Sequence, residues 1–229
     1  MKALLYKEFK LAMHPICYIF VILFPFMILI PSYPVAVGFI YILACYPILF
    51  LGANKGQQSN DLLFSTLLPV RKKDIVLARL ITVATIQFVF IIIMACLYPA
   101  ALAIHSSAVI SSRTPATKIG LGLDGFVSII SIALIGYAIA DLIYFAIYYK
   151  KGRSIVMSTL LTIIGYVIYL CIFTIAIPYI PGCEGYTIFL CNSGIGNQFI
   201  VLAVALVIYI CLHFVVYKVA SKELERVDF

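Results

Sequence analysis

The sequence predicts an all-helical, polytopic membrane protein with six transmembrane helices and both termini in the cytoplasm. Three observations lead there. The 229 residues are 65% hydrophobic and only 11% charged, with a mean hydropathy of +1.16, where a soluble domain carries roughly 25% charge. Six apolar stretches divide the chain from end to end, and only helices or closed barrels satisfy their backbone inside lipid. The basic residues fall on one set of loop ends. Lys2, Lys7, Lys10, Lys55, Arg71, Lys72, Lys73, Arg79, Lys150, Lys151, Arg153, Lys218, Lys222 and Arg226 share one side, and only Arg113 and Lys118 the other, so 14 of the 16 point the same way. That asymmetry sets orientation. It also removes nucleic-acid binding as the reading of the +7 charge, because the cations alternate with spans and form no soluble face.

The chain reads as one membrane domain over 1–229. Residues 1–14 place Leu5, Phe9 and Met13 on one stripe among Lys2, Lys7, Glu8 and Lys10, an interfacial helix leading into the bilayer. No small-residue cleavage site follows, which predicts no removable signal peptide. Pro15 suits the first turn of a new helix. The first span runs from Ile16 to about Pro31, with Pro25 placed to kink it. Ser32–Pro34 turn the chain outside, and Val35 to about Asn54 return it. The third span starts near Ile75, capped by Asp74. It runs to about Ile104, long enough for Arg79 to project into the cytoplasm. An external loop, His105–Gly125, precedes the fourth span, Phe126–Tyr149, which Asp124 caps. The fifth is Ile155–Ile177 and the sixth about Phe199–Tyr217. Between them the external segment 178–196 holds a short apolar piece, Tyr186–Leu190. A charged tail, Lys218–Phe229, ends the chain. Tryptophan is absent, so the 16 Tyr are expected to supply the interfacial aromatic belt.

The loop 55–74 stands apart as the long polar interruption on the basic side. Ser59 or Asn60 caps a short helix within it and Pro69 stops it. Leu63 and Leu67, then Phe64 and Leu68, sit at i, i+4 and make a broad apolar face. So short a helix needs something to pack on. It is either a docking knob for a cytoplasmic partner or an interfacial helix lying on lipid headgroups.

Reactive constellations are few. No Gly-x-x-x-x-Gly-Lys-Ser/Thr loop, His-Glu-x-x-His or Gly-x-Ser-x-Gly occurs, so the chain is not expected to be an enzyme or to hydrolyse ATP itself. His14, His105 and His213 are far apart, at membrane edges in this topology, and no metal site is expected. Asp141 is the acid well inside a span. An intramembrane carboxylate is costly unless paired. It marks a transport path, or it pairs with a basic residue near the cytoplasmic edge such as Arg79 or Arg153. Thr82, Thr85 and Gln87 could line the same path or bond between helices.

Three stretches resemble a known family. Leu5-Tyr6-Lys7-Glu8-Phe9 is similar to a KEF/KEW lead-in helix. Leu67–Arg79, LLPVRKKDIVLAR, resembles the pattern LLPVSRKEIVLAKY. Tyr144–Arg153, YFAIYYKKGR, resembles the run between spans four and five, without that run's early proline. The chain thus looks like an ABC-2 type permease of the small six-span branch. The resemblance implies a half-transporter in a bacterial cytoplasmic membrane. Two permease subunits, a homodimer or a sister heterodimer, would associate with two ATP-binding cassette subunits holding ATP and Mg, with no cofactor in this chain. Asp61, Leu62, Leu63, Phe64, Leu67 and Leu68, with Pro69, Arg71 and Lys72, would form the coupling helix that docks on the ATPase. Segment 178–196 would form short helices capping the exit. Among relatives of this branch, exporters of phenol-soluble modulins and antimicrobial peptides imply an amphipathic peptide cargo. A membrane immunity or sensor protein that binds such a peptide without moving it, and a lipid-modifying intramembrane enzyme, are the competing classes.

Of the seven cysteines, Cys17, Cys45, Cys96, Cys171 and Cys211 lie within apolar spans and read as packing residues. Cys183 and Cys191 fall in the external segment, where the compartment is oxidising. They form a disulfide or remain two interfacial thiols. Thiol labelling of the native protein decides between these. The bridge requires both to be unreactive until reduced, and two reactive thiols in the unreduced protein exclude it.

Overall fold

The computed structural model describes residues 2–12, 15–30, 70–105, 126–150, 155–172 and 195–226. Every element among them is helical. The N-terminal helix α1 (Lys2–Lys7) continues into a π-helical turn, Glu8–Ala12. Leu4, rather than the expected stripe at Leu5 and Phe9, is the fully buried apolar residue. The wider π turn shifts the facing positions out of strict 3.6-residue register.

Helix α2 starts at Pro15, where the missing amide costs nothing, and runs to Leu23. At Pro25, the expected site of a kink, the helix tightens into a 3₁₀ stretch, Phe24–Leu29. Helix α3 spans Lys72–His105 and begins three residues earlier than the sequence suggests. Asp74 is therefore in its first turn and not at the cap, and its amide closes a tight turn onto the Arg71 carbonyl at 2.9 Å. A carboxylate there still complements the helix dipole. Pro99 lies inside α3 and leaves the Ala95 carbonyl without its usual partner.

Helix α4 is Phe126–Lys150 and α5 Ile155–Cys171. The α4 limits agree with the predicted span to one residue, while 173–177 lie outside the described residues. Helix α6, Ile195–Glu225, is longer than its predicted span at both ends. The charged tail from Lys218 is helical as far as Glu225 because Ala220 and Leu224 extend the buried stripe of Tyr209 and Val216 at three- and four-residue steps. Among the described residues, three helices are long and apolar enough to cross a membrane, Lys72–Ile104, Phe126–Lys150 and Gly196–Glu225, with Ile16–Leu29 and Met157–Cys171 as shorter apolar helices. The protein is a multi-pass, all-helical membrane protein. Second-span residues 35–54 and segment 178–196 lie outside the described residues.

Helix α4 is the centre. It packs along α6 and then α5, while α3 packs on the 3₁₀ stretch and α6. Between α3 and α4 the main chains seldom come close, and long side chains bridge the gap. The tyrosines fill this interior. Tyr137, Tyr144, Tyr148, Tyr149, Tyr166, Tyr169 and Tyr209 are all buried, a correction to the expected interfacial belt. Tyr137 stacks on Tyr166 with centroids 6.1 Å apart, Tyr144 stacks on Tyr148 at 5.7 Å, and Tyr169 donates to the Ile132 carbonyl at 2.8 Å. Aromatic rings bury large areas and gain further from offset contact.

This close α4–α5 approach depends on glycine. A Cβ on Gly136 would stand 2.5 Å from Tyr166 Cε2 and 2.8 Å from Tyr169 Cε1, both on rigid buried rings. A Cβ on Gly165 would stand 2.5 Å from Ile143 Cδ1, the end of a flexible side chain. Gly136→Ala is expected to destabilise by about 1–3 kcal/mol and Gly165→Ala by clearly less. Thermal unfolding in detergent would measure both, and equal losses would show that the ring contacts yield freely.

Candidate functional site

Two buried polar clusters tie the helices together. The first surrounds Asp141, which has no exposed surface in the middle of α4. Gln87 of α3 donates from Nε2 to Asp141 Oδ2 at 3.0 Å, and its Oε1 accepts from the Tyr209 hydroxyl of α6 at 2.6 Å. These two bonds fix the orientation of the amide. One turn after Tyr209, His213 Nδ1 lies 2.9 Å from the Tyr209 carbonyl oxygen. A carbonyl only accepts, so Nδ1 carries the hydrogen. The other ring nitrogen, Nε2, stands 3.1 Å from Asp141 Oδ2. That is ion-pair distance, but the approach is off the line of a straight hydrogen bond. The two rings of Tyr209 and His213 are 4.0 Å apart, and Phe88 closes on Tyr209 edge-on at 5.4 Å. Three helices thus converge on one carboxylate.

The second cluster lies where α1, α3 and α4 meet. Arg79 and Glu8 are 3% and 2% exposed, so this charge pair is buried and Arg79 does not project into solvent as expected. Arg79 Nε donates to Glu8 Oε2 at 3.2 Å, and Nη1 donates to the Tyr148 hydroxyl at 3.4 Å. Lys7 Nζ is 3.6 Å from Glu8 Oε1, in ion-pair range though beyond a hydrogen bond. The planar guanidinium reaches two elements at once, which an ammonium could not do from one position.

The expected site residues separate accordingly. Gln87 and Asp141 come together. Thr82 and Thr85 do not join them: Thr82 donates to the Ala78 carbonyl at 3.0 Å and Thr85 to that of Ile81 at 2.7 Å, each within α3. The partners of Asp141 are Gln87 and His213 and not the expected Arg79, which is eight residues from Gln87 along α3, about 12 Å, and engages Glu8. Arg153 lies outside the described residues. His213 is buried within α6, facing Asp141. Cys17 is buried, but Cys96, Cys171 and Cys211 are exposed and do not pack as predicted. Arg71 is exposed and Lys72 half-buried at the start of α3. Asp61, Leu62, Leu63, Phe64, Leu67, Leu68, Pro69, Cys183 and Cys191 lie outside the described residues. Among the described residues, no group of three or more His, Cys, Asp or Glu side chains could hold a metal ion.

Glu8, Tyr209 and His213 escaped the sequence reading. Glu8 carried a signal, an acid among three lysines beside the apolar Phe9. His213 carried a weaker one, an ionisable residue deep in an apolar run.

The chain matches the ABC-2 family transporter protein family over residues 3–221. It belongs to the ABC-2 transporter family. No curated protein and no solved structure gives a match. An ABC-2 permease is the membrane component of a transporter and works with an ABC ATPase. In this permease the three stretches that resemble the family meet at one point, since Glu8, Arg79 and Tyr148 come one from each.

Removing the Asp141 carboxylate leaves the Gln87 amide and the His213 ring facing a dry gap. Asp141→Ala is expected to cost about 1–3 kcal/mol. Asp141→Asn keeps an acceptor oxygen for Gln87 at the Oδ2 position and nearly the same volume, so its loss should be smaller. Unfolding midpoints of the two variants in detergent check the order, and a double-mutant cycle with Gln87→Leu should return a coupling of about 0.5–2 kcal/mol.

Proposed function

We propose that this permease is half of an ATP-driven exporter of amphipathic or cytolytic peptides, or of other hydrophobic cargo, in a bacterial cytoplasmic membrane. It pairs with a second permease subunit, identical or a sister, and with two copies of the ATPase, which bind ATP and Mg. The family match over residues 3–221 carries the transport reading. The cargo reading rests on surface chemistry. Asp141, Glu8 and Arg79 are engaged with one another's helices inside the bundle. The outward faces of α5 and α6 are apolar, with Leu160, Ile164, Ile168, Val207, Ile210 and Phe214 exposed. Such a surface suits cargo that partitions into lipid and enters from the side better than it suits a sugar or an ion.

The docking element is the coupling segment Asp61–Leu68, followed by Pro69, Arg71 and Lys72. The support is its apolar face at i, i+4 and its place just before α3. A helix that short gains stability by inserting into a partner's groove. Asp141 and Gln87 stand beside the transport path in this reading, holding its walls. The bridge between Cys183 and Cys191 braces the exit.

Phe64→Asp with Leu67→Asp tests the assignment. Co-purification with the ATPase should fall at least about tenfold, the effect of about 1.4 kcal/mol or more, and ATP-dependent export of a labelled amphipathic peptide from vesicles should stop. A non-transporting immunity protein would instead keep both peptide binding and the protection it gives to cells. Full export by the double variant would remove the docking role from this segment.

A further inference from the structure

We infer that the buried Glu8–Arg79 pair, with Tyr148, is the joint that carries a displacement at the base of α3 into the centre of the membrane bundle. The inference rests on the ATPase-driven reading above and names the positioning residues through which it acts. Two separate apolar cores meet here. Leu4, Ile75 and Ala78 form a small one, with Leu5 and Val70 packed against it, and it unites α1 with the first turns of α3. The large one contains Tyr144, Tyr148 and Tyr149 of α4. Arg79 directly follows Ala78, so its side chain leaves the small core where the large one begins. It reaches back to Glu8 and across to Tyr148. Tyr148 in turn stacks on Tyr144 and meets Tyr149 edge-on at 5.0 Å, both on α4.

The chemistry of the pair favours transmission over simple cohesion. Removing two charges from water is costly, and apolar residues of the same volume often hold two helices as well or better. What an apolar contact lacks is direction. It slides, whereas two hydrogen bonds from one planar guanidinium fix both distance and angle. Glu8 also sits in the π-helical turn, a local departure from α geometry that turns its carboxylate onto α3. The small core therefore moves as a handle on the residue that follows the docking loop, and Arg79 links that handle to α4.

Glu8→Gln with Arg79→Gln removes both charges of the pair together, with the neighbouring Lys7 kept as it is in the wild type. The test reconstitutes the full chain with its ATPase in nanodiscs and follows backbone hydrogen exchange before and after trapping with Mg-ATP and vanadate. In the wild type, trapping should change exchange both in 72–79 and in 144–150. In E8Q/R79Q the change in 72–79 should persist while that in 144–150 shrinks at least about fivefold. Persistence of both changes would overturn the joint. Loss of both would overturn it too, since the pair would then merely hold the docking base together. A wild type without any trapping response in 72–79 would instead defeat the ATPase-driven reading itself.

Discussion

Hydrocarbon offers a buried polar group no water, so each must find its partners within the protein. Asp141 makes that constraint acute, because a carboxylate is among the costliest groups to place in a membrane helix. Its partners come from two other helices, the Gln87 amide from α3 and the His213 ring from α6, and Tyr209 closes the ring by donating to Gln87. Helices in lipid gain little from burying apolar surface against one another, so polar bonds and close packing choose their faces. The choice is visible along α6. Gln198, Ala205, Tyr209, His213, Val216, Ala220 and Leu224 are buried at helical spacing, while Phe199, Val207, Ile210 and Phe214 face outward. Polar and apolar residues share one stripe, and its polar members fix the rotation.

The gap between α3 and α4 follows from the same constraint. Their main chains seldom come close, and side-chain bridges cross between them, among them Arg79 to Tyr148, Gln87 to Asp141, and Tyr98 stacked on Phe126 at 4.6 Å. The partners advance along α3 as they retreat along α4, which makes the two helices antiparallel neighbours. On the other side of α4 the design is reversed. Gly136 admits the rings of Tyr166 and Tyr169 at contact distance, so α5 seats closely. A helix seated tightly on one flank and spanned by long side chains on the other is freer to shift towards the spanned side, because bridging groups can reorient where interlocked rings cannot.

Much of this architecture was legible because it is written in period and charge. The limits of α4 follow from an unbroken apolar run closed by Lys150, and Pro15 and Pro25 act locally through their missing amides. The family resemblance was legible too, in short runs whose residues are ordinary apart from their order. The partner of Asp141 was not. Sequence distance gives neither the relative height of two helices nor the angle between them, so an acid level with Arg79 could not be distinguished from one level with Gln87 and turned towards His213. The tyrosines misled for a related reason. An amphipathic ring suits both an interface and a crowded interior with an acceptor nearby, and only the packing of α4 decides between them. The end of α6 was missed because Lys218, Lys222 and Glu223 look like a solvated tail, although Ala220 and Leu224 keep the buried period between them.

The basic end of the bundle shows why one of its ion pairs matters more than another. Lys73 and Glu225 join α3 to α6 at 3.3 Å, but each side chain is about half exposed. Water and salt compete for such a pair, and its net contribution is small. Glu8 and Arg79 face no such competition. With both partners sealed off, parting them would strand two ions without solvent, so the contact either holds or α1 leaves the bundle with its charge. The exposed pair can therefore part at little cost, whereas the sealed one resists parting. Among the described residues, the sealed pair and its bond to Tyr148 give the start of α3 a directional tie to the tyrosines of α4 that water does not reach.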